Sequence, residues 1–355
     1  MTSQLDQKSK ETLTKQGYSV VGDHSVVKVC GWTKNTLKGK GGCYKLKFYG
    51  IKSHQCMQMS TSVSCANRCS FCWRDYKSPV SKDWDWGTDD PTFILEESLK
   101  AHNKQLVGFK GRDATPQKLY EQSTDVKHVA LSLTGEPIAY PRMNELVEQF
   151  HEKSISTFIV TNAQFPDCVR SLYPITQLYI SMDGPNPKTL KQLDVPLFKN
   201  YWERFIQSLD YMAKRNDRSA IRITCVKGIN MIDPQGYAKL IQRADADFIE
   251  VKAYMFVGAS QDRLKFENMP NCEEVKEFTH QVLEYLPDYE YISHHDSSRV
   301  SLIAKKKFEK QTWIDYPKFM KDFPKQLEEF KKIDFASVEN KHKEDPVEDR
   351  SYLID

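Results

Sequence analysis

The chain has 355 residues, 39 % of them apolar, and a formal net charge of +3. That length suits two domain-sized units or one large α/β unit with additions, and the apolar share suffices for a core. No apolar run approaches the roughly 18 residues of a membrane span, the start "MTSQLDQKSKETLTKQ" has no signal-peptide stretch, and the charge does not announce a nucleic-acid binder. A cytosolic chain without membrane contact is the expectation. In a reducing compartment its nine cysteines read as metal ligands or catalytic groups before they read as disulfides.

Residues 1–55 read as an N-terminal module with a flexible "KGKGG" turn at 38–42. It carries six lysines and no acid between Lys34 and Lys52: Lys34, Lys38, Lys40, Lys45, Lys47 and Lys52. Such a run either contacts phosphates or forms a solvated charged face. Cys30, Cys43 and Cys56 are separated by twelve residues each, a regularity that core packing does not explain. A first strand is expected near "CMQMSTS" (56–62), followed by "SCANRCSFCW", which places Cys65, Cys69 and Cys72 in a C-x3-C-x2-C pattern. Residues 83–125 form a long excursion with a helix near 93–107; its Trp84 and Trp86, like Trp313 later, suit either base stacking or core packing.

From residue 125 short β-rich runs alternate with amphipathic segments. The runs are "HVALSLT" (128–134), "STFIVT" (156–161), "QLYISM" (177–182), "IRITCV" (221–226) and "DFIEVKAYMF" (247–256). Helices are expected over 141–154, 198–215 and 233–244, the first and third with Pro near their start, where a missing N–H is harmless. About six βα units follow, hence a parallel sheet with right-handed crossovers and an active site at the strands' C-terminal ends. We divide the chain into an N-terminal extension (1–55), a β/α core (56–300) and a C-terminal extension of helical and β character (301–355). The last holds a second basic cluster (Lys305, Lys306, Lys307, Lys310), a candidate phosphate contact, and an acidic tail from Glu344. Cys168, Cys225 and Cys272 show no spacing logic and read as ordinary buried residues, and Asp183 reads as turn chemistry.

Four thiolates would close a structural zinc site. Iron–sulfur clusters are also held by thiolates, usually four, so three protein ligands leave one iron open. The alternatives to a cluster are a zinc site completed by a distant His, or core cysteines. C-x3-C-x2-C with Phe71 and Trp73 beside the last cysteine resembles the radical S-adenosylmethionine superfamily. The resemblance implies a partial, TIM-like (β/α)6 barrel. It also implies a [4Fe-4S] cluster whose open iron chelates S-adenosylmethionine, and release of a 5′-deoxyadenosyl radical. Thr134-Gly135-Glu136-Pro137 resembles the superfamily's Gly-Gly-Glu-Pro motif, with Thr in place of the first Gly, and so implies a grip on the cofactor's amino group. Thr161, Asn162 and Ser181 stand at strand ends, where the superfamily contacts ribose and methionyl carboxylate.

The double pattern, C-x12-C-x12-C followed by C-x3-C-x2-C, resembles the tRNA 4-demethylwyosine synthase family, as do "VCGWTK", "CYKLKFYGI", "SHQCMQM", "LSLTGEPIAYP" and "TWIDYPKF". The resemblance implies a second [4Fe-4S] cluster on Cys30, Cys43 and Cys56. It implies condensation of N1-methylguanosine at position 37 of phenylalanine tRNA with pyruvate, giving tricyclic 4-demethylwyosine. The deoxyadenosyl radical would remove hydrogen from the N1-methyl group. Lys45 matches the family's Schiff-base lysine, with Lys47 the weaker candidate; the open iron of the second cluster offers another way to hold pyruvate. Eukaryotic members carry a flavodoxin-like domain ahead of this region, so the expectation is the archaeal form, a monomer reduced by a separate ferredoxin- or flavodoxin-type donor. The runner-up is a radical methylthiotransferase, disfavoured by the helical look of "YPKFMKDFPKQLEEFKK"; a non-catalytic iron–sulfur or zinc scaffold that binds RNA ranks last.

Overall fold

A computed structural model describes residues 5–75, 77–112 and 115–344. The acidic tail expected from Glu344 onward therefore lies almost wholly outside the described residues. The chain divides into two compact units, one made of Met1–Ser64, Asp83–Val160 and Trp313–Phe323, the other of Cys65–Lys82, Thr161–Thr312 and Pro324–Asp355.

The first unit begins with α1 (Gln7–Lys15) and a short antiparallel pair, β1 (Ser19–Val21) and β2 (Ser25–Val27). Two brief helices follow, α2 (Gly31–Leu37) and α3 (Tyr44–Tyr49), and lead into β3 (Cys56–Ser60). After α4 (Pro91–Leu106) and α5 (Gln117–Thr124) come β4 (His128–Leu131), α6 (Met143–Glu152) and β5 (Ser156–Thr161). Strand β2 pairs antiparallel with β3, and β3, β4 and β5 run parallel. Cys56, His128 and Ser156 stand level at the start of these three strands, and Gln58, Ala130 and Phe158 stand level near their middle. Every residue of β4 is buried, as befits a parallel strand covered on both faces. Helix α4 starts where Asp90 accepts from the Thr92 N–H and Pro91 fills the first turn.

The second unit contains α7 (Pro166–Ser171), β6 (Gln177–Ser181), α8 (Pro187–Asp194), α9 (Tyr201–Ala213), β7 (Ser219–Cys225), α10 (Pro234–Ala244) and β8 (Phe248–Ala253). Strands β6, β7 and β8 are parallel. Beyond them α11 (Cys272–Leu283), β9 (Tyr289–His295) and β10 (Val300–Lys305) add an antiparallel edge, with β10 between β8 and β9. Helices α8 and α10 repeat the start of α4: Asn186 and Asp233 cap them and a proline follows each. Helix α12 (Tyr316–Phe330) contains Pro324, where the two units divide, and α13 (Ala336–Glu344) comes last. No helix among the described residues is long and apolar enough to cross a membrane.

The six expected parallel strands are all present, within two or three residues of the expected ends. Elements not singled out in the sequence include α1, the β1–β2 hairpin, α2 and α3 in the N-terminal stretch, helices α5, α7, α8 and α11, and the antiparallel strands β9 and β10.

Candidate functional site

In the first unit, Cys30 immediately precedes α2, Cys43 immediately precedes α3, and Cys56 opens β3. Ser53 knits their supports together. Its hydroxyl accepts from the Cys43 N–H at 2.8 Å, and its carbonyl accepts from the Thr33 hydroxyl of α2 at 2.8 Å. The Cys56 thiol is pushed up to about 12, first by burial, with Cys30 and Cys43 pushing the same way and Lys45 pulling it down. Cys30, Cys43 and Lys45 thus all lie near enough to Cys56 to act on its charge.

Lys45 lies in the first turn of α3 and is only 9 % exposed. Its ammonium lies 5.6 Å from the centre of the Phe158 ring, midway along β5. Lys47, two residues on, is exposed, as are Lys34, Lys38, Lys40 and Lys52. The expected loop motif leaves the opposite end of β4. Gly135 sits at φ +63°, and a β-carbon there would come within 2.0 Å of the Ser62 carbonyl oxygen. The Glu136 N–H donates to the Ser64 carbonyl at 2.7 Å, and the Glu136 side chain is buried. Thr134, just before them, is half-buried. The sequence placed the whole site at the C-terminal ends of the strands. That holds for Thr134–Glu136, but Cys56 marks the N-terminal end, level with His128 and Ser156.

In the second unit the loop with Cys65, Cys69 and Cys72 is held from two directions. The Arg68 N–H donates to the Asp194 carbonyl at 3.0 Å and the Ser70 N–H to the Leu193 carbonyl at 2.7 Å, both at the end of α8. The Arg263 guanidinium donates to the carbonyls of Ser70 (3.0 Å), Cys72 and Arg74. Burial pushes the Cys69 thiol well above its usual range, and Asp194, Cys72, Cys65 and Asp183 add to it. Asp194 is itself pushed up by burial, with Asp183 adding, and its side chain accepts from Asn67 at 3.4 Å. Three converging thiols beside a buried carboxyl favour a bound cationic centre that displaces their protons. The donor set fits an iron–sulfur cluster.

Asn162 donates to the Cys65 sulfur at 3.4 Å and accepts from the Gln164 N–H at 3.0 Å. Thr161 is buried, and its hydroxyl accepts from the Ala163 N–H at 3.1 Å. Ser181, the last residue of β6, is half-buried. Asp183 does more than shape a turn: it is buried, accepts from the Thr224 N–H at 3.0 Å and is pushed up to about 6 by burial. Arg263, Asn67 and Asp194 have no counterpart among the residues expected from the sequence.

The structure bears on four other expectations. Trp86 is buried against Leu5, Tyr18 and Val63, and Trp84 packs on that cluster with its ring 4.8 Å from His24, so neither is an open stacking platform. Trp313 is 65 % exposed, its indole N–H donating to the Lys47 carbonyl at 3.1 Å. The 305–310 lysines are engaged: Lys305 with Asp245, Lys307 with Asp247, Lys310 with Glu290, and Lys306 with the Pro287 carbonyl. Cys225 is buried as expected, but Cys168 and Cys272 are only half-buried.

Two family models match the chain, "Radical SAM superfamily" over residues 59–241 and "Wyosine base formation" over residues 243–305. Over 315 residues, 87 % of this chain, it is 47 % identical to the S-adenosyl-L-methionine-dependent tRNA 4-demethylwyosine synthase TYW1 of Xenopus laevis. The corresponding synthase of Schizosaccharomyces pombe is 45 % identical over 322 residues. The chain spans 43 % and 47 % of the length of these two relatives. A solved TYW1 structure with a lysine–pyruvate adduct bound is 33 % identical, with a TM-score of 0.78 over 88 % of this chain and 99 % of that one. An archaeal TYW1 structure is 29 % identical, with a TM-score of 0.71 over 87 % and 100 %. These likenesses bear out the expected α/β fold.

Proposed function

The chain belongs to the tRNA 4-demethylwyosine synthase family, with an α/β fold shared with radical S-adenosylmethionine proteins, and from that premise we propose that it performs the family's reaction. In this reading it condenses N1-methylguanosine at position 37 of phenylalanine tRNA with pyruvate to give 4-demethylwyosine. The observation that carries it is Lys45: a buried lysine among three cysteines, reaching the middle of a parallel strand.

Cys65, Cys69 and Cys72 hold a [4Fe-4S] cluster and Cys30, Cys43 and Cys56 a second one. Thr134, Gly135, Glu136, Thr161, Asn162 and Ser181 bind S-adenosylmethionine. When bound, the first cluster and this cofactor supply a 5′-deoxyadenosyl radical able to take hydrogen from the N1-methyl group. Lys45 attacks the keto carbon of pyruvate through Nζ, water leaves, and the resulting imine holds the two-carbon donor in place. At 9 % exposure its position shields that imine from hydrolysis. The lysine–pyruvate adduct in a relative of 33 % identity supports this choice, and the exposure of Lys47 argues against that residue. Within the first unit, the Gly135–Glu136 turn and Cys56 lie at opposite ends of the β3–β4 pair, and the Lys45 ammonium lies 5.6 Å from the centre of the Phe158 ring of β5.

The target base must leave the anticodon stack to be reached. Exposed Lys34, Lys38, Lys40, Lys47 and Lys52 suit backbone phosphates, and exposed Trp313, hydrogen-bonded to the Lys47 carbonyl, suits a displaced base. The paired lysines of 305–310 read instead as a solvated charged face. A methylthiotransferase is disfavoured because the chain continues after β10 into helices α12 and α13 rather than a small β module.

The test is anaerobic incubation of the reconstituted protein with N1-methylguanosine-containing tRNA, pyruvate, S-adenosylmethionine and a flavodoxin- or ferredoxin-type reductant, followed by nucleoside mass analysis. A tricyclic product that incorporates label from pyruvate is expected. Cleavage of the cofactor without that product overturns the reading.

A further inference from the structure

The antiparallel edge of the second unit brings together three potential metal donors that the proposed reaction does not use. Cys272 opens α11, His294 lies near the end of β9, and Asp296 begins the turn that follows. Their ligand atoms all lie within 4.8 Å of one another. A tetrahedral zinc centre with bonds of about 2.0–2.3 Å holds its ligand atoms roughly 3.3–3.8 Å apart. The three donors therefore need to close by at most about 1.5 Å.

Local structure orients each of them. His294 is 8 % exposed, and its Nδ1 is hydrogen-bonded to the Ser301 hydroxyl of β10 at 2.8 Å. That bond directs Nε2 toward Asp296, whose Oδ1 lies 3.7 Å away. Fixing a ring through its other nitrogen is how proteins commonly orient a metal-binding imidazole. The Cys272 thiol already lies against Asp296, donating to its backbone carbonyl at 3.4 Å. The Asp296 carboxylate is 79 % exposed, so the fourth position faces water. One competitor is present: Lys276 Nζ lies 3.8 Å from Asp296 Oδ1, but it also holds Glu273 at 2.9 Å and keeps that partner if Asp296 turns to a metal.

We propose that Cys272, His294 and Asp296 form a mononuclear zinc site, with water as fourth ligand, that fastens the start of α11 to the end of β9. Thiolate, imidazole and carboxylate are the donor types zinc accepts. Binding releases the Cys272 thiol proton to solvent, and thiolate and carboxylate together balance the charge of the ion. The site lies wholly within residues 243–305, apart from both cysteine sets in sequence and on the antiparallel edge rather than the parallel strands.

The experiment uses protein with its iron clusters intact, prepared with zinc, dialysed against a weak chelator, and assayed for zinc and iron together. About one zinc per chain is expected. Asp296→Ala and Cys272→Ala should each lose at least three quarters of it with iron unchanged. Asp296 is a surface residue, so its replacement tests the site without endangering the fold. X-ray absorption at the zinc edge should show one sulfur among nitrogen and oxygen ligands. A sulfur-rich shell, or zinc content equal in wild type and both variants, overturns the proposal.

Discussion

The side-chain amide of Asn162 donates to the sulfur of Cys65 at 3.4 Å, making it a hydrogen-bond donor to a proposed cluster ligand. Hydrogen bonds to ligating sulfur stabilise the added negative charge of the reduced cluster and raise its potential. Asn162→Ala should keep its full iron content while the cluster's reduction potential falls by tens of millivolts, on the order set by such bonds. Redox titration followed by electron paramagnetic resonance reads this directly. An unchanged potential would mean that the amide serves only the 162–164 turn.

The second cysteine set makes a countable prediction. Replacing Cys30, Cys43 and Cys56 together by alanine should remove about four iron atoms per reconstituted chain and leave about four behind. The same replacement at Cys65, Cys69 and Cys72 should also remove about four, but with loss of S-adenosylmethionine cleavage. Iron and sulfide analysis, paired with a cleavage assay, separates the two. Undiminished iron after the first triple replacement would eliminate the second centre.

Gly135 tests the loop after β4. With φ at +63° and the Ser62 carbonyl 2.0 Å from where a β-carbon would stand, Gly135→Ala must push the backbone of 62–64 away. That backbone leads directly into Cys65, and the Ser64 carbonyl receives the Glu136 N–H at 2.7 Å. S-adenosylmethionine binding should weaken at least about tenfold, by the 1.4 kcal/mol or more that such a displacement costs. Equilibrium dialysis on cluster-loaded protein measures it. Affinity equal to wild type would show that this loop does not meet the cofactor.

The parallel strands were legible because burial on both faces demands continuous runs such as "HVAL" and "QLYI", which no other element requires at that length. The cysteine loop was legible because its three cysteines lie within eight residues. Arg263 was not, since the carbonyls it binds belong to residues 70–74 and only folding brings them together. Trp84 and Trp86 were undecided between stacking and core packing for a related reason: among the acids of "DWDWGTDD" nothing local shows that His24 and Tyr140 flank Trp84 or that Trp86 joins a core cluster with Leu5, Tyr18 and Val63. The β1 and β2 strands, three residues each, carry too little pattern to distinguish from loop. Cys272 had no cysteine partner to reveal it, because its neighbours are a histidine and an aspartate more than twenty residues later.

Lys45 and Lys47 differ by two residues and in burial, and that contrast predicts their chemistry. Borohydride trapping with labelled pyruvate should label wild type and Lys47→Ala equally and leave Lys45→Ala unlabelled. Lys47→Ala should instead weaken tRNA binding modestly and reduce its salt dependence by about one unit of slope, as the loss of one phosphate contact does. Label retained by Lys45→Ala would place the carbonyl elsewhere.

His128 and His151, both buried in the first unit, contribute to the pH dependence of the fold's stability. Burial pushes each down to about 3 from 6.5, while His128 keeps the Ser156 hydroxyl at 2.7 Å and His151 the Thr157 hydroxyl at 2.8 Å. Between those limits the unfolded chain binds more protons than the folded one, so stability must rise with pH across the window. The contribution is whole above pH 6.5 and is lost progressively as pH falls toward 3. From pH 7 to pH 5 each histidine should cost the fold about 2 kcal/mol. His151 also stands edge-on to Phe319 and Phe323, at 5.2 and 4.4 Å, which keeps water from solvating a charged ring. His151→Gln retains a hydrogen-bonding group for Thr157 but cannot titrate. Its denaturant midpoint should start lower at pH 7 yet fall less on going to pH 5, by the share of one histidine. If wild type and variant lose the same stability over that interval, His151 titrates alike in the folded and unfolded chain and the burial argument fails there.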